Sequence, residues 1–144
     1  MKPLRLLVVD DIAPIRCLLA QLFEKDGYEV EQAADAEEAL ALARMARWDG
    51  FILDIDMPGM NGLELYANLV RLNAGDRLPV IFFSGRPSEG LELSLANVPW
   101  ARMVAKPCAP AQLLVLMRQC LLAAARCAPQ PNSRGDFSDL APRA

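Results

Sequence analysis

Histidine is absent from the 144 residues, which excludes metal sites and catalytic dyads that depend on an imidazole ring. The chain also lacks any apolar run approaching the roughly 18 residues that a membrane-spanning helix needs. Its first apolar stretch ends at once at Asp10 and Asp11, which is not typical of a signal peptide. We therefore expect a cytoplasmic protein that does not interact with a membrane.

Two further patterns are missing. The 15 lysines and arginines form no cluster and the net charge is −3, so we expect no binding to nucleic acid. The cysteines show no paired spacing, and without a secretory signal they are interpreted as reduced thiols. These cysteines are Cys17, Cys108, Cys120 and Cys127.

Short apolar runs that alternate with helical stretches are what the sequence does contain. Apolar runs without polar alternation are typical of strands buried in a parallel sheet. The predicted strands cover residues 4–9, 28–33, 51–53, 80–83 and 103–105. The predicted helices cover residues 14–26, 36–45, 62–72, 88–95 and 110–125. This alternation predicts one α/β domain of right-handed strand–helix–strand units over residues 1–126, followed by a disordered tail over residues 127–144.

The first helix has an apolar stripe at helical spacing. Five large apolar residues follow the i, i+3, i+4, i+7, i+8 pattern and predict the buried face of that helix. They are Ile15, Leu18, Leu19, Leu22 and Phe23. Asp35, with Glu38 three residues later, predicts a capping box at the start of the second helix.

Polar residues follow four of the predicted strands at the points where those strands end. They are Asp10 and Asp11, Asp54, Ser84, and Lys106. Because the carboxyl ends of parallel strands share one edge of the sheet, we expect these side chains to meet there. Each residue alone has an ordinary explanation as a turn, a helix cap or a surface lysine. Their joint occurrence in strand order favours a functional site.

Three carboxylates in one place repel each other, and a single lysine does not neutralise them. A hard divalent cation such as Mg²⁺ does, because it prefers oxygen ligands. Aspartate can also be a nucleophile that forms an acyl phosphate. Phosphoryl transfer requires neutralisation of charge on the phosphoryl oxygens, so the sequence predicts a site where one of these aspartates accepts a phosphoryl group.

These motifs together resemble the receiver domain of bacterial two-component response regulators. The motifs are Val8-Val9-Asp10-Asp11, the segment 54–62, Ser84-Gly85 and Lys106-Pro107, and the resemblance covers roughly residues 4–125. It implies a single flavodoxin-like, doubly wound domain. That domain has a five-stranded parallel sheet of order 2-1-3-4-5 and five helices.

The resemblance also implies roles for the metal-binding residues. Asp11 is expected to bind Mg²⁺ directly, Asp10 to hold a metal-bound water, and the backbone carbonyl of Asp56 to be a third protein ligand beside the acceptor Asp54. Gly59 and Gly62 are expected to allow a turn and a close backbone approach beside the acceptor.

Further roles concern the phosphoryl group itself. The resemblance implies that Ser84 moves toward it on activation and that Lys106 binds one of its oxygens. The Lys106–Pro107 bond is expected to be cis, and Gly85 is expected to leave room for the phosphoryl group.

Three departures from the family pattern stand out. Met103 occupies a position where relatives usually carry an aromatic ring that turns inward on phosphorylation, so transmission of the signal is expected to differ. Asp56 and Arg86 flank the site, and an ion pair between them is expected to affect hydrolysis of the acyl phosphate. Trp100 precedes the last strand and is interpreted either as an exposed docking residue or as a buried one.

The resemblance implies a signalling protein that catalyses its own phosphorylation and slow dephosphorylation rather than an enzyme acting on other substrates. Its donor is expected to be a histidine kinase or a histidine phosphotransfer protein, and its output an unidentified protein. We expect a stand-alone receiver, with the receiver piece of a longer protein as the alternative. A homodimer through the last two helices is an alternative to a monomer.

Two other functions stay open from the sequence. One is a receiver-like binding module that acts without phosphorylation. The other is a phosphatase with an aspartate nucleophile, because Asp54-Ile55-Asp56 resembles the Asp-x-Asp motif of haloacid-dehalogenase-like hydrolases. In those enzymes the motif normally follows the first strand, whereas here it follows the third.

Overall fold

A computed structural model describes residues 2–73, 77–86, 95 and 97–126 of the chain. The strands are β1 (Arg5–Val9), β2 (Glu29–Ala33), β3 (Gly50–Asp54), β4 (Val80–Ser84) and β5 (Ala101–Ala105). The helices within the described residues are α1 (Ala13–Lys25), α2 (Ala36–Met45), α3 (Gly62–Leu72) and α4 (Pro110–Arg126). Each of these nine elements agrees in type with a predicted one, and the bounds of α2 and α3 agree at both ends.

The strands form one parallel sheet in the order β2-β1-β3-β4-β5. This order confirms the predicted flavodoxin-like α/β fold. The sequence predicted five helices, and the part of the chain that the structure describes contains four. Of the remaining predicted helix, residues 88–94 lie outside the described residues and Leu95 lies in a turn. The predicted tail over residues 127–144 also lies outside them.

The sheet is covered on both faces, which explains its apolar strands. The central strands β3 and β4 are buried at every position, whereas the edge strand β2 alternates between partly buried and exposed residues. Leu7 and Val9 of β1 pack into one core cluster with residues of α2 and α3. Leu6 and Val8 pack into a second cluster with residues of α1 and α4. Neighbouring strand residues therefore both contribute to burial, as a doubly wound sheet requires.

The apolar face predicted for helix α1 was wrong at one position. Leu19 and Phe23 are buried, but Leu18 is 67% exposed. A helix that packs beside another helix on a sheet buries only a narrow stripe, and successive residues lie about 100° apart around its axis. Leu18 instead lines an apolar groove of about 490 Å³ with Leu22 of α1 and Leu113 of α4.

Local features explain where α2 begins and where α1 ends. Asp35 Oδ1 accepts a hydrogen bond from the Glu38 N–H at 2.8 Å, and Glu38 Oε2 accepts one from the Ala34 N–H at 3.1 Å. These two bonds confirm the predicted capping by Asp35 and Glu38, although Glu38 binds the N–H of Ala34 and not that of Asp35, the N-cap residue. Gly27, with φ of +98°, follows α1 in the left-handed conformation that glycine tolerates best.

Within residues 2–73, 77–86, 95 and 97–126, no helix combines the length and apolar character of a membrane span.

Candidate functional site

The carboxyl edge of the sheet collects the polar residues that the sequence singled out. Asp10 follows β1, Asp54 and Ser84 are the last residues of β3 and β4, and Lys106 follows β5. The strands β1 and β3 are neighbours, although α1, β2 and α2 separate them in sequence. The strand order therefore brings Asp10 next to Asp54 and leaves Lys106 to approach from β5.

Lys106 contacts both buried carboxylates. Its Nζ lies 3.1 Å from Asp54 Oδ1 and 3.5 Å from Asp10 Oδ2. Asp10 is 1% exposed and Asp54 is 2% exposed, so both carboxylates are screened little by water. The Lys106–Pro107 bond is cis, as the sequence predicted.

These contacts move the pKa values of the pair. Burial raises the pKa of Asp54, and the negative charge of Asp10 raises it further, while the Asp56 N–H and Lys106 oppose the increase. Burial alone would lower the pKa of Lys106. The hydrogen bond to Asp54 and the charges of Asp10 and Asp54 outweigh burial and raise that pKa. Lys106 is consequently held as a cation beside the Asp54 carboxylate.

Asp10, Asp11 and Asp54 form an acidic group in which one oxygen of each lies within 4.8 Å of the others. Mg²⁺ holds oxygen ligands at 2.0–2.1 Å, so ligands on opposite sides of the ion are about 4.2 Å apart. Three carboxylate oxygens in this space, of which those of Asp10 and Asp54 share the single ammonium of Lys106, fit such an ion. Asp11 is exposed, which leaves room for the waters that Mg²⁺ retains.

The loop between β3 and α3 holds the end of β3, at Asp54, close to the start of α3. Gly59 has φ of +76°, and a Cβ added at Gly62 would lie 2.5 Å from the backbone oxygen of Asp54. The predicted roles of these glycines as a turn and a close backbone approach are confirmed. Asn61 completes the loop, because its Oδ1 accepts from the N–H groups of Leu63 and Glu64 at 3.0 and 2.9 Å.

Asp56 is bonded differently from the sequence interpretation. Its backbone N–H donates to Asp54 Oδ1 at 3.1 Å. Its Oδ2 accepts from the Gly85 N–H at 2.8 Å and from the Ser84 hydroxyl at 3.3 Å. Among the described residues, Asp56 and Arg86 form no ion pair, so that hypothesis was wrong. The backbone N–H of Arg86 donates to Ser84 Oγ at 3.0 Å. A Cβ at Gly85 would meet only Asp56 Oδ2, at 3.7 Å.

Two predicted residues lie away from this cluster. Met103 pairs with Phe82 in the sheet and is half-buried against the core cluster of α2 and α3. Trp100 is half-buried against the same cluster, and its indole Nε1 is fully buried. The Arg77 guanidinium lies 5.8 Å from the centre of its ring. Of the two interpretations of Trp100, the structure favours burial.

Sequence reasoning missed two residues that shape the site. Asn61 precedes an apolar helical pattern, and this N-cap signal was available in the sequence. Arg16 Nη1 donates to the backbone oxygen of Asp10 at 2.7 Å. That contact carries no local sequence signal, because it depends on how the first turns of α1 fold back over the end of β1.

The profile of the response regulator receiver domain matches residues 6–118. A protein-glutamate methylesterase/protein-glutamine glutaminase of Anaeromyxobacter dehalogenans is 44% identical over 91 residues, which are 63% of this chain and 25% of that protein. Response regulator MprA of Mycolicibacterium vanbaalenii is 36% identical over 119 residues, covering 83% of this chain and 51% of MprA. The chain thus spans about half or less of the length of these relatives.

Solved structures agree with the profile. The Vibrio cholerae chemotaxis protein CheY4 superposes with a TM-score of 0.73 at 33% identity, covering 81% of this chain and 98% of CheY4. A CheY-like receiver domain protein from Methanospirillum hungatei gives a TM-score of 0.75 at 31% identity, covering 86% of this chain and 98% of that one. The acidic edge of the sheet and these similarities lead to one conclusion: the chain belongs to the response regulator receiver domain family.

Proposed function

We propose that this receiver accepts a phosphoryl group on Asp54 from a phosphohistidine of a sensor kinase or a phosphotransfer protein. The reaction depends on Mg²⁺, and the phosphorylated domain signals through a conformational change that a protein partner recognises. The observation that carries this proposal is the buried Asp54 carboxylate, with Lys106 Nζ 3.1 Å from Oδ1 and two further carboxylates beside it.

The chemistry assigned to the site is one displacement at phosphorus. A carboxylate oxygen of Asp54 attacks, a P–O bond to Asp54 forms, and the P–N bond to the donor imidazole breaks, with the electron pair leaving on nitrogen. Lys106 is suited to stabilise negative charge on a phosphoryl oxygen, because its ammonium already lies against Asp54. Ser84 supplies a hydroxyl donor at the end of the neighbouring strand β4.

The residues suited to holding the metal are Asp10, Asp11 and Asp54, with the Asp56 backbone carbonyl as a further predicted ligand. Bound there, Mg²⁺ supplies positive charge to the transferring phosphoryl group. Asp10 is restrained for this role, since its Oδ1 accepts a hydrogen bond from the Ile12 N–H at 2.8 Å.

The surface beside the site supports a protein as the phosphoryl donor. The groove between α1 and α4 reaches Lys106 and Pro107 and is lined mainly by apolar side chains. Leu18 at 67% and Ile12 at 47% add exposed apolar surface next to it. Apolar surface that reaches Lys106, which itself contacts Asp54, suits a partner that must both dock and present a phosphorylated side chain.

The organisation of the whole protein stays a prediction. A stand-alone cytoplasmic receiver over residues 1–126 is the proposed arrangement, and a receiver within a longer protein is the alternative. The output partner and a homodimer through the last helices also stay at the level of proposal. Met103 in place of an aromatic ring keeps a phosphorylation-independent binding module as the second candidate function.

Incubation with acetyl phosphate and Mg²⁺ tests the proposed function. We expect intact-mass spectrometry to detect the addition of one phosphoryl group to the wild-type protein. The addition should be lost in Asp54→Asn and when EDTA removes Mg²⁺. A wild-type protein that gains no mass at saturating phosphodonor would favour the binding module, and continuous turnover of a phosphate ester would favour the phosphatase.

A further inference from the structure

Asp56 connects the acceptor carboxylate with the end of β4. Its backbone N–H donates to Asp54 Oδ1 at 3.1 Å, while its side chain reaches across to the next strand. Asp56 Oδ2 accepts from the Gly85 N–H at 2.8 Å and from the Ser84 hydroxyl at 3.3 Å. One carboxylate oxygen thus engages both donors that β4 and its following residue direct toward the site.

The capacity of Ser84 to donate a hydrogen bond is used up by its contact with Asp56. A hydroxyl has a single proton to donate, and in Ser84 that proton is directed to Asp56. The Ser84 oxygen also accepts the Arg86 N–H at 3.0 Å. The Gly85 N–H likewise has one proton, already directed to Asp56. A phosphoryl oxygen can receive either proton only after the bond to Asp56 breaks.

Charge makes this competition direct. A carboxylate and a phosphoryl group are both anionic acceptors, so they seek the same donors and repel each other at short range. Hydrogen bonds to a carboxylate are also stronger than those between neutral groups. Asp56 is exposed, so water moderates both effects and allows its side chain to swing outward.

We propose that the Asp56 carboxylate is a latch on the unphosphorylated state. The latch consists of Asp56 Oδ2, the Ser84 hydroxyl and the Gly85 N–H, and a phosphoryl group on Asp54 must displace it. Asp56 is therefore a positioning residue that sets how much phosphodonor the switch requires. This inference rests on the proposed function of Asp54 and deepens it by naming the group that competes with the phosphoryl oxygens.

Titration with beryllium fluoride in the presence of Mg²⁺ tests the latch, because this anion mimics a phosphoryl group on a carboxylate. Fluorine NMR would report the bound fraction for the wild-type protein, Asp56→Ala and Asp56→Asn. We expect the half-saturating concentration to fall about three- to fivefold in Asp56→Ala, as suits the loss of an exposed charged contact. Asp56→Asn should show a smaller fall, because its amide oxygen still accepts both hydrogen bonds.

A double-mutant comparison separates the latch from simple charge repulsion. In a Ser84→Ala background, Asp56→Ala should bring a smaller gain than in the wild-type background. Glu24→Gln, which removes one exposed negative charge in the last turn of α1, is the matched control and should bind as the wild type does. Circular dichroism and thermal unfolding establish that each variant is folded.

The outcomes divide clearly. If the wild type binds beryllium fluoride and takes up phosphate while Asp56→Ala gains no affinity, the latch is wrong and the proposed function stands. Equal gains in Asp56→Ala and Asp56→Asn, unaffected by Ser84→Ala, would also overturn the latch in favour of charge alone. A folded wild-type protein that neither binds the anion nor takes up phosphate would overturn both proposals.

Discussion

Gly62 has the least room for a side chain among the glycines around the site. A Cβ at this position would lie 2.5 Å from the Asp54 backbone oxygen and 3.0 Å from its carbonyl carbon. Both atoms belong to the backbone of a buried strand, so neither moves away easily. The absence of a side chain at residue 62 therefore allows α3 to begin in close contact with the backbone of Asp54.

We expect Gly62→Ala to lower the free energy of unfolding by about 2–3 kcal/mol, the usual range for forcing extra volume into a packed site. Urea unfolding followed by circular dichroism measures this change. Gly85→Ala is the control, because its Cβ would make only an ordinary 3.7 Å contact and its φ lies outside the left-handed region. It should alter stability by less than about 0.5 kcal/mol. Equal losses in both variants would refute the steric argument.

Helices α2 and α3 both start with a side-chain cap, but only the cap of α3 lies in the loop that follows Asp54. Asp35 Oδ1 accepts one backbone N–H in α2, and Asn61 Oδ1 accepts two in α3. Asn61 also ends the loop that follows Asp54, and the N–H of the next residue, Gly62, donates to the Ile55 backbone oxygen at 3.4 Å. Loss of the Asn61 cap of α3 should therefore displace Asp54, whereas loss of the Asp35 cap of α2 should not.

Replacement of either cap by alanine is expected to cost about 1 kcal/mol of unfolding free energy. Only Asn61→Ala should also slow phosphorylation by acetyl phosphate, by about threefold or more, since small displacements of reacting groups are costly. Thermal unfolding and the time course of mass gain measure the two effects. Wild-type phosphorylation rates in both variants, or equal slowing in both, would contradict this assignment.

The same elements explain how far the sequence could predict the fold. Helix α2 carries its own boundary signal in Asp35 and Glu38, and that prediction was confirmed. Strand ends were predicted within a few residues, because burial on both faces produces the apolar runs. The predicted burial of Leu18 was wrong, because helical periodicity identifies an apolar stripe but not which part of that stripe a neighbouring helix leaves exposed.

The site followed the same division. Asp54 and Lys106 were predictable from their places at strand ends, since parallel topology determines which edge they share. The contacts of Asp56 with Ser84 and Gly85 were not, because they depend on how two loops from different strands approach each other. An ion pair with Arg86 was the natural expectation from charge alone. Reasoning from side-chain charges does not consider the backbone N–H of Gly85, which is the group that Asp56 binds.

For the molecule as a whole, Cys120 connects stability with alkaline pH. Its thiol is fully buried between α4 and the sheet, and burial raises its pKa from the usual 9.0 to about 11. The unfolded chain therefore releases this proton at lower pH than the folded protein does. The contribution to stability is complete below pH 9 and is lost as the pH rises through 11.

We expect the unfolding free energy of the wild type to fall by about 2 kcal/mol more than that of Cys120→Ala between pH 9 and pH 11. Urea titrations at the two pH values measure the difference, and alanine lowers the starting stability without affecting this comparison. Cys17→Ala removes an exposed thiol and is the matched control, which should keep the shape of the wild-type curve. Parallel curves for Cys120→Ala and the wild type would exclude the buried thiol as the cause.

The contact between Lys106 and Asp10 joins residues that are 96 positions apart in the chain. During synthesis, all the carboxylates of the site leave the ribosome well before the ammonium that completes it. A chain interrupted before β5 therefore has the acidic group without its cation, and loss of β5 from a finished molecule has the same result. Under the proposed function, such a molecule lacks the ammonium that stabilises the transferring phosphoryl group, so we expect it not to signal.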